Sequence, residues 1–369
     1  MAATNLSVGS ESELALGTPA ATVVVRFGGA AVSCAESIRS LARQLVAARL
    51  AGERVVAVVS AAPATREKLV RLALEVTPRP TPREYDLLLS AGERIAAALC
   101  AMAVCDEGGD AVSFTGAQAG IVTDAAHGGA GILGVRPQRL VRALAGGKIV
   151  LVAGGQGVSM AREVTTLGPG GSDVTAVALA SALDARCEIV LDEGRIYSAD
   201  PSLVPDALEL SRISYEELLE LTGSGGAGIA RDALDLAQDR HQAIVVRPPH
   251  GSAGTWVGPR SDPLLYGAEV AGVAVEASNP DGPRSDVEVG RVSLVGSGVR
   301  TSRGAESAMV DALSLAGITA RRVTRGDSRI TCVVAASELR AAAVAVHERF
   351  RSLIADRVAP GPPAVQVAV

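Results

Sequence analysis

The chain has 369 residues, of which 48% are apolar and only 2% aromatic, and it carries a net charge of −5. That length supports two or three domains with real cores, and a mean hydropathy of +0.29 excludes a disordered chain. The lack of any basic run and the scarcity of stacking rings exclude a nucleic-acid partner.

Taken in order, residues 1–20 form a polar, flexible extension without the basic start and apolar core of a signal peptide. Thr22 to Arg26 is a β-branched run, the pattern of a strand covered on both faces. Phe27-Gly28-Gly29-Ala30 follows, then a helix from about Cys34 to Leu50 and a second strand from Val55 to Ser60. Strand, glycine turn, helix and strand make a βαβ unit, which predicts a parallel sheet. Thr77 to Pro82 reads as a connector, Glu84 to Val104 as a long helix, Ala111 to Phe114 as a strand and Leu140 to Leu144 as part of a helix. Ile149 to Ala153 is the next buried strand and ends in Gly154-Gly155-Gln156-Gly157. Cys187 to Asp192 and Ala243 to Arg247 complete the strands of this domain, with helices at Ser214 to Thr222 and Ala230 to Asp239.

Between the second glycine turn and the Asp192 strand lies Thr165-Thr166-Leu167-Gly168-Pro169-Gly170-Gly171-Ser172-Asp173, followed by small apolar residues to Leu183. Three glycines in four positions let backbone approach a ligand and permit positive φ. Ser172 and Asp173 supply helix-start chemistry, and the uniformly apolar helix that follows predicts burial. A glycine loop opening a buried helix offers free amides and a positive dipole end to a phosphate or carboxylate. Arg26, at its strand end, either holds phosphate oxygens or simply snorkels to solvent. Glu93 is either a polar contact in the site or an exposed helix acid.

Ser278 to Ser285 is polar and linker-like. Beyond it Gly290 to Val295, Gly304 to Ala316, Ile318 to Val323, Arg329 to Ala335 and Ser337 to Arg351 predict a small β-α-β-β-α domain. The expected organisation is an extension over 1–20, a larger α/β domain over 21–265, a linker over 266–285, the small domain over 286–355 and a loose tail over 356–369. The five cysteines (Cys34, Cys100, Cys105, Cys187, Cys332) have no metal-like spacing. Four lie in apolar runs and read as small buried hydrophobes, which implies a reducing, cytoplasmic setting. No apolar run approaches 18 residues, so no membrane span is expected.

These residues also carry a resemblance. Phe27-Gly28-Gly29, Val58-Val59-Ser60-Ala61, Ala91-Gly92-Glu93-Arg94, Ser113-Phe114-Thr115-Gly116, Val152-Ala153-Gly154 and Gly170-Gly171-Ser172-Asp173 resemble the aspartate kinases, in order along the chain. So do Tyr197, Ala199-Asp200-Pro201 and Gly254-Thr255-Trp256-Val257. Val292-Ser293-Leu294-Val295-Gly296 and Ala316-Gly317-Ile318 resemble that family's ACT regulatory module. The resemblance implies a three-layer αβα sandwich with a mostly parallel sheet (the amino acid kinase fold), then one small α+β ACT-like domain. It implies transfer of the γ-phosphate of ATP, with Mg²⁺, to the side-chain carboxylate of L-aspartate, the first step towards lysine, threonine and methionine. Arg26 and Asp173 take the catalytic positions. Ser60, Glu93, Gly170, Gly171 and Ser172 take substrate positions, and Gly28, Gly29, Asp192 and Tyr197 nucleotide positions. No protein-held metal site is implied. Asp173 and Asp192 are expected side by side at the sheet's carboxyl edge, beside Mg²⁺-nucleotide. A homodimer joined through the ACT-like modules is implied, with an amino-acid effector near Ser297 to Arg300.

The departures weaken the expected grip on charge. Arg26 stands where the family has Lys, Ala30 and Ala31 where it has Thr-Ser, Pro169 where it has Arg, and Ser202 and Ala227 where it has cations near ATP. Pro169 brings neither a cation nor a backbone N–H to its loop, which predicts poor handling of free L-aspartate. Three readings stay open: the kinase, a catalytically impaired paralogue acting as a regulatory or binding subunit, and a kinase with another acceptor.

Overall fold

The computed structural model describes residues 21–191, 194–222, 228–250, 254–261, 269–277, 289–299, 301–302 and 304–358. The first half of the chain runs β1 (Thr22–Phe27), α1 (Ala35–Leu50), β2 (Arg54–Val59), α2 (Pro63–Val76), α3 (Pro82–Asp106), β3 (Ala111–Phe114), α4 (Gly116–Ala119), β4 (Ile121–Thr123), β5 (Ile132–Val135), α5 (Gln138–Ala145), β6 (Ile149–Ala153), β7 (Gln156–Ser159) and β8 (Val164–Thr166). It continues with α6 (Gly171–Leu183), β9 (Arg186–Val190), β10 (Arg212–Ser214), α7 (Tyr215–Thr222), α8 (Arg231–Asp239), β11 (Ile244–Arg247) and β12 (Thr255–Gly258). The last part holds β13 (Gly272–Ala277), β14 (Val289–Val295), α9 (Ala305–Leu315), β15 (Arg322–Arg325), β16 (Arg329–Ala335) and α10 (Leu339–Ala355).

Eight strands form the main sheet in the order β10-β12-β11-β9-β1-β2-β6-β3. Every pairing in it is parallel except β11 with β12. The β-branched runs are apolar on both faces because both faces are covered. Val23, Val25, Val55, Ala57, Val59 and Leu151 pack with Leu41 and Leu45 of α1 and with Ala97 and Cys100 of α3. Val24, Val56, Val58, Val150 and Val152 pack with Leu140 and Leu144 of α5 and with the small side chains of α6. The expected three layers are therefore present. A side sheet, β5-β4-β7-β8, and a C-terminal sheet, β13-β14-β16-β15, complete the fold.

Several expectations need revision. The stretch from Pro63 to Val76, to which the sequence assigns no element, is a helix with Pro in its first turn. Strand β13 lies inside the stretch expected as linker and pairs antiparallel with β14. The strand expected at Ile318 to Val323 is β15, starting at Arg322. Ile318 instead donates its N–H to the Leu313 carbonyl at 2.9 Å and is buried, so it finishes α9. Three cysteines rather than four are buried, because Cys34 and Cys105 are exposed. Cys34 caps α1 reciprocally with Ser37. Helix α3 has an 18-residue window of mean hydropathy 1.7, enough by composition to cross a membrane, but 44% of that window is buried in the fold and α3 is a core helix.

The segment expected as a loose tail begins with a docked residue. Arg357 is fully buried and reaches Glu217 of α7 through two hydrogen bonds of 2.7 Å. Glu217 also accepts from the backbone N–H of Ser297 at 2.6 Å and of Ser214 at 3.1 Å. One buried carboxylate thus joins the large domain, the loop after β14 and the chain after α10.

Candidate active site

The glycine loop sits where the topology predicts. Gly168 and Gly170 have φ of +77° and +73°, in the left-handed region that only glycine enters cheaply. Their turn starts α6, and no side chain caps its first turn. Gly171 and Asp173 donate their N–H groups to the Gly168 and Gly170 carbonyls at 3.1 and 2.9 Å, and the positive end of this buried helix suits an anion. Space is as strict as φ: a Cβ at Gly170 stands 2.2 Å from Ala230 Cβ, and one at Gly171 stands 2.7 Å from Leu167 Cβ. Gly170→Ala is expected to lose about 1–3 kcal/mol of stability, read as a lower denaturant midpoint.

Beside this loop lies a cleft of about 510 Å³. Arg26, Ser60, Glu93, Gly170, Gly171 and Ser172, expected from sequence, all line it, as does Pro169. Arg26 leaves the end of β1 and turns towards α6. Its Nε lies 2.7 Å from Asp173 Oδ1, as an ion pair off the angle of a hydrogen bond, and Nη1 donates to the Val190 carbonyl at 3.4 Å. Asp173 is buried, and its second oxygen accepts from the Ala230 N–H at 3.1 Å. Burial raises the Asp173 carboxyl, and the Arg26 cation and the Ala230 amide pull it back. Burial likewise raises Glu93, against the pull of the Arg66 cation and the Ala61 and Arg94 neighbours. Ser60 follows β2 and ties that strand end to Phe27 through a 3.3 Å backbone bond.

The structure does not bring every expected residue to the cleft. Asp192, expected beside Asp173, lies outside the described residues; among those described, Arg26 stands beside Asp173. Ala227, and Arg300 at the end of the expected effector loop, also lie outside the described residues. Tyr197 is away from the cleft lining, on an antiparallel bridge with Glu209. Gly28 and Gly29 form the short turn after β1 and are not in the lining either. At Gly29 packing alone demands glycine, since a Cβ there would meet the Ala61 carbonyl oxygen at 2.6 Å. Among the described residues, no cluster of three or more His, Cys, Asp and Glu forms a metal-type centre.

Sequence reasoning missed Asp86. It is fully buried at the cleft wall and accepts from the N–H groups of Gly128 and Thr166 at 3.1 and 3.0 Å, from the Thr166 hydroxyl, and pairs with His127 Nδ1 at 2.8 Å. It thereby fixes the 127–128 turn and the end of β8 against α3, and Gly168 follows closely after that strand end. The available signal was its place two helical turns before Glu93 on the same face of α3. Arg66, in the first turns of α2, also lines the cleft and was missed because α2 was.

The amino acid kinase family model matches residues 21–247, and an ACT domain model matches residues 292–350. The aspartokinase of Mycolicibacterium smegmatis is 37% identical, over 89% of this chain and 96% of its own length. The aspartokinase of Corynebacterium glutamicum is 36% identical, over 90% of this chain and 96% of its own length. Among solved structures, E. coli aspartokinase III in complex with aspartate and ADP superposes with a TM-score of 0.71 over 89% of this chain and all of that one. Its 18% identity makes that a likeness of fold.

Proposed function

Since the chain belongs to the amino acid kinase family, and within it to the aspartokinases, we propose that it transfers the γ-phosphate of ATP to the side-chain carboxylate of L-aspartate. The observation that carries this reading is the meeting of the Gly168–Gly171 loop, Arg26, Ser60 and Glu93 around one cleft. Phosphoryl transfer needs positioning and neutralised charge more than covalent help. The uncapped first turn of α6 holds phosphate oxygens, with Gly28 and Gly29 at the neighbouring strand end. Arg26 supplies positive charge beside that turn, and Asp173 fixes its direction. Ser60 and Glu93 hold the amino acid.

The donor set fits ATP better than it fits a protein-bound metal. Among the described residues Asp173 is already engaged by Arg26 and Ala230, and Mg²⁺ is ordinarily held by one or two carboxylates together with substrate phosphates rather than in an all-protein cage. Mg²⁺ therefore enters on the nucleotide's phosphates, where it neutralises charge. The ACT domain takes an amino-acid effector, and the protein acts in the cytoplasm as a homodimer. Light scattering on the full chain at micromolar concentration is expected to give twice the chain mass; a clean monomer would refute the dimer.

A coupled ADP-release assay with L-aspartate tests the main reading. The expected result is ATP-dependent release that needs aspartate. No release together with no nucleotide binding at millimolar ATP would instead favour a non-catalytic regulatory subunit.

A further inference from the structure

The cleft has four charged side chains in its lining: Arg26, Arg66, Asp86 and Glu93. Two of them already have side-chain or backbone partners within the protein. Arg26 is paired with Asp173 and bonded to Val190, and Asp86 is saturated by His127, Gly128 and Thr166. Arg66 differs. Its backbone N–H closes the first turn of α2 on Ala62 at 3.0 Å, which fixes where its side chain starts. The guanidinium itself makes no hydrogen bond or ion pair among the described residues, and its one described partner is the field it exerts on Glu93. Pro169, on the glycine loop of the same cleft, offers no cation.

We propose that Arg66 binds the α-carboxylate of the acceptor amino acid. The inference rests on the kinase reading above. A free guanidinium presents a planar fork of donors that matches a carboxylate in two parallel bonds and so orients as well as attracts. Glu93 stands close enough to feel its charge. A cation and an anion lining one cleft fit the carboxylate and ammonium groups of one amino acid. The arrangement predicts selection for a free α-carboxylate, made from α2 rather than from the glycine loop.

The test compares wild type, Arg66→Ala and Arg66→Lys in the full chain, with L-aspartate and with its α-carboxamide, which keeps the side-chain carboxylate. Arg66 is exposed, so both variants should fold, and circular dichroism checks this. Losing a charged bond pair of this kind raises KM for L-aspartate about ten- to a hundred-fold, with KM for ATP unchanged. Lys restores part of the loss. Wild type prefers aspartate over the amide by a similar factor, and Arg66→Ala shows no preference. Calorimetry with L-aspartate is a second arm that does not depend on turnover. Binding that needs Arg66 without turnover keeps this assignment and sinks the kinase reading. Turnover with unchanged KM and unchanged preference in Arg66→Ala overturns the assignment and keeps the kinase. Wild type that neither binds nor turns over aspartate overturns both.

Discussion

Asp173→Asn is expected to cut turnover by roughly a hundred- to a thousand-fold, the usual effect of removing one preorganised charge from a site. It should also lower stability by about 3–5 kcal/mol, because Arg26 is left as a buried charge without its partner. The pair is 2.7 Å apart, and the two side chains are 14% and 2% exposed, so solvent screens it little. The two effects separate in the double change Arg26→Met with Asp173→Leu. Removing both charges should recover much of the stability and none of the activity. If Asp173→Asn keeps near-normal turnover, the pair is only a structural tie at the end of β1.

Glu217→Ala is expected to have a comparably large effect on stability. Burial alone would raise the Glu217 carboxyl, but the Arg357 cation and the donated bonds from Arg357, Ser214 and Ser297 outweigh it and hold its pKa below the ordinary glutamate value. Breaking such a buried pair costs about 3–5 kcal/mol. Arg357→Ala should cost a similar amount, and the double variant less than the sum of the two. Differential scanning calorimetry of all three gives the coupling directly, and additive losses would show that the two side chains act independently. The sign with pH follows from the lowered pKa. The contribution is complete above the ordinary glutamate pKa of about 4.3 and is lost as pH falls through the lower folded value. Wild type should therefore lose stability on acidification below about pH 4.3 more steeply than Glu217→Ala.

The main sheet was legible because its strands advertise themselves. Thr22 to Arg26, Val55 to Ser60 and Ile149 to Ala153 are continuous apolar runs, rich in β-branched residues, because helices cover both faces of the sheet they form. The glycine loop was legible because positive φ and close approach both demand glycine. What stayed hidden was hidden for physical reasons. Helix α2 has a polar, largely exposed surface with Ala73 its one buried residue, so it lacks a strong apolar stripe. Asp86 is a single acid whose partners come from β8 and the 127–128 turn, far along the chain. Strand β13 precedes linker-like sequence, and its pairing with β14 is what makes it a strand. Arg357 sits in a stretch that reads as tail, and nothing local says that its partner is Glu217.

The two halves of that last pair are separated by 140 residues, which has a consequence during synthesis. Chains elongate at about 5–20 residues per second, so Glu217 is made about 7–28 s before Arg357, the separation divided by that rate. Through that interval α7 presents a carboxylate with no cation to receive it, and the large domain stays short of its final stability. The nascent chain is therefore most open to proteases and chaperones late in translation, after most of the enzyme already exists. Ribosomes stalled just before codon 357 should display a large domain that is cleaved faster than the same domain in released protein.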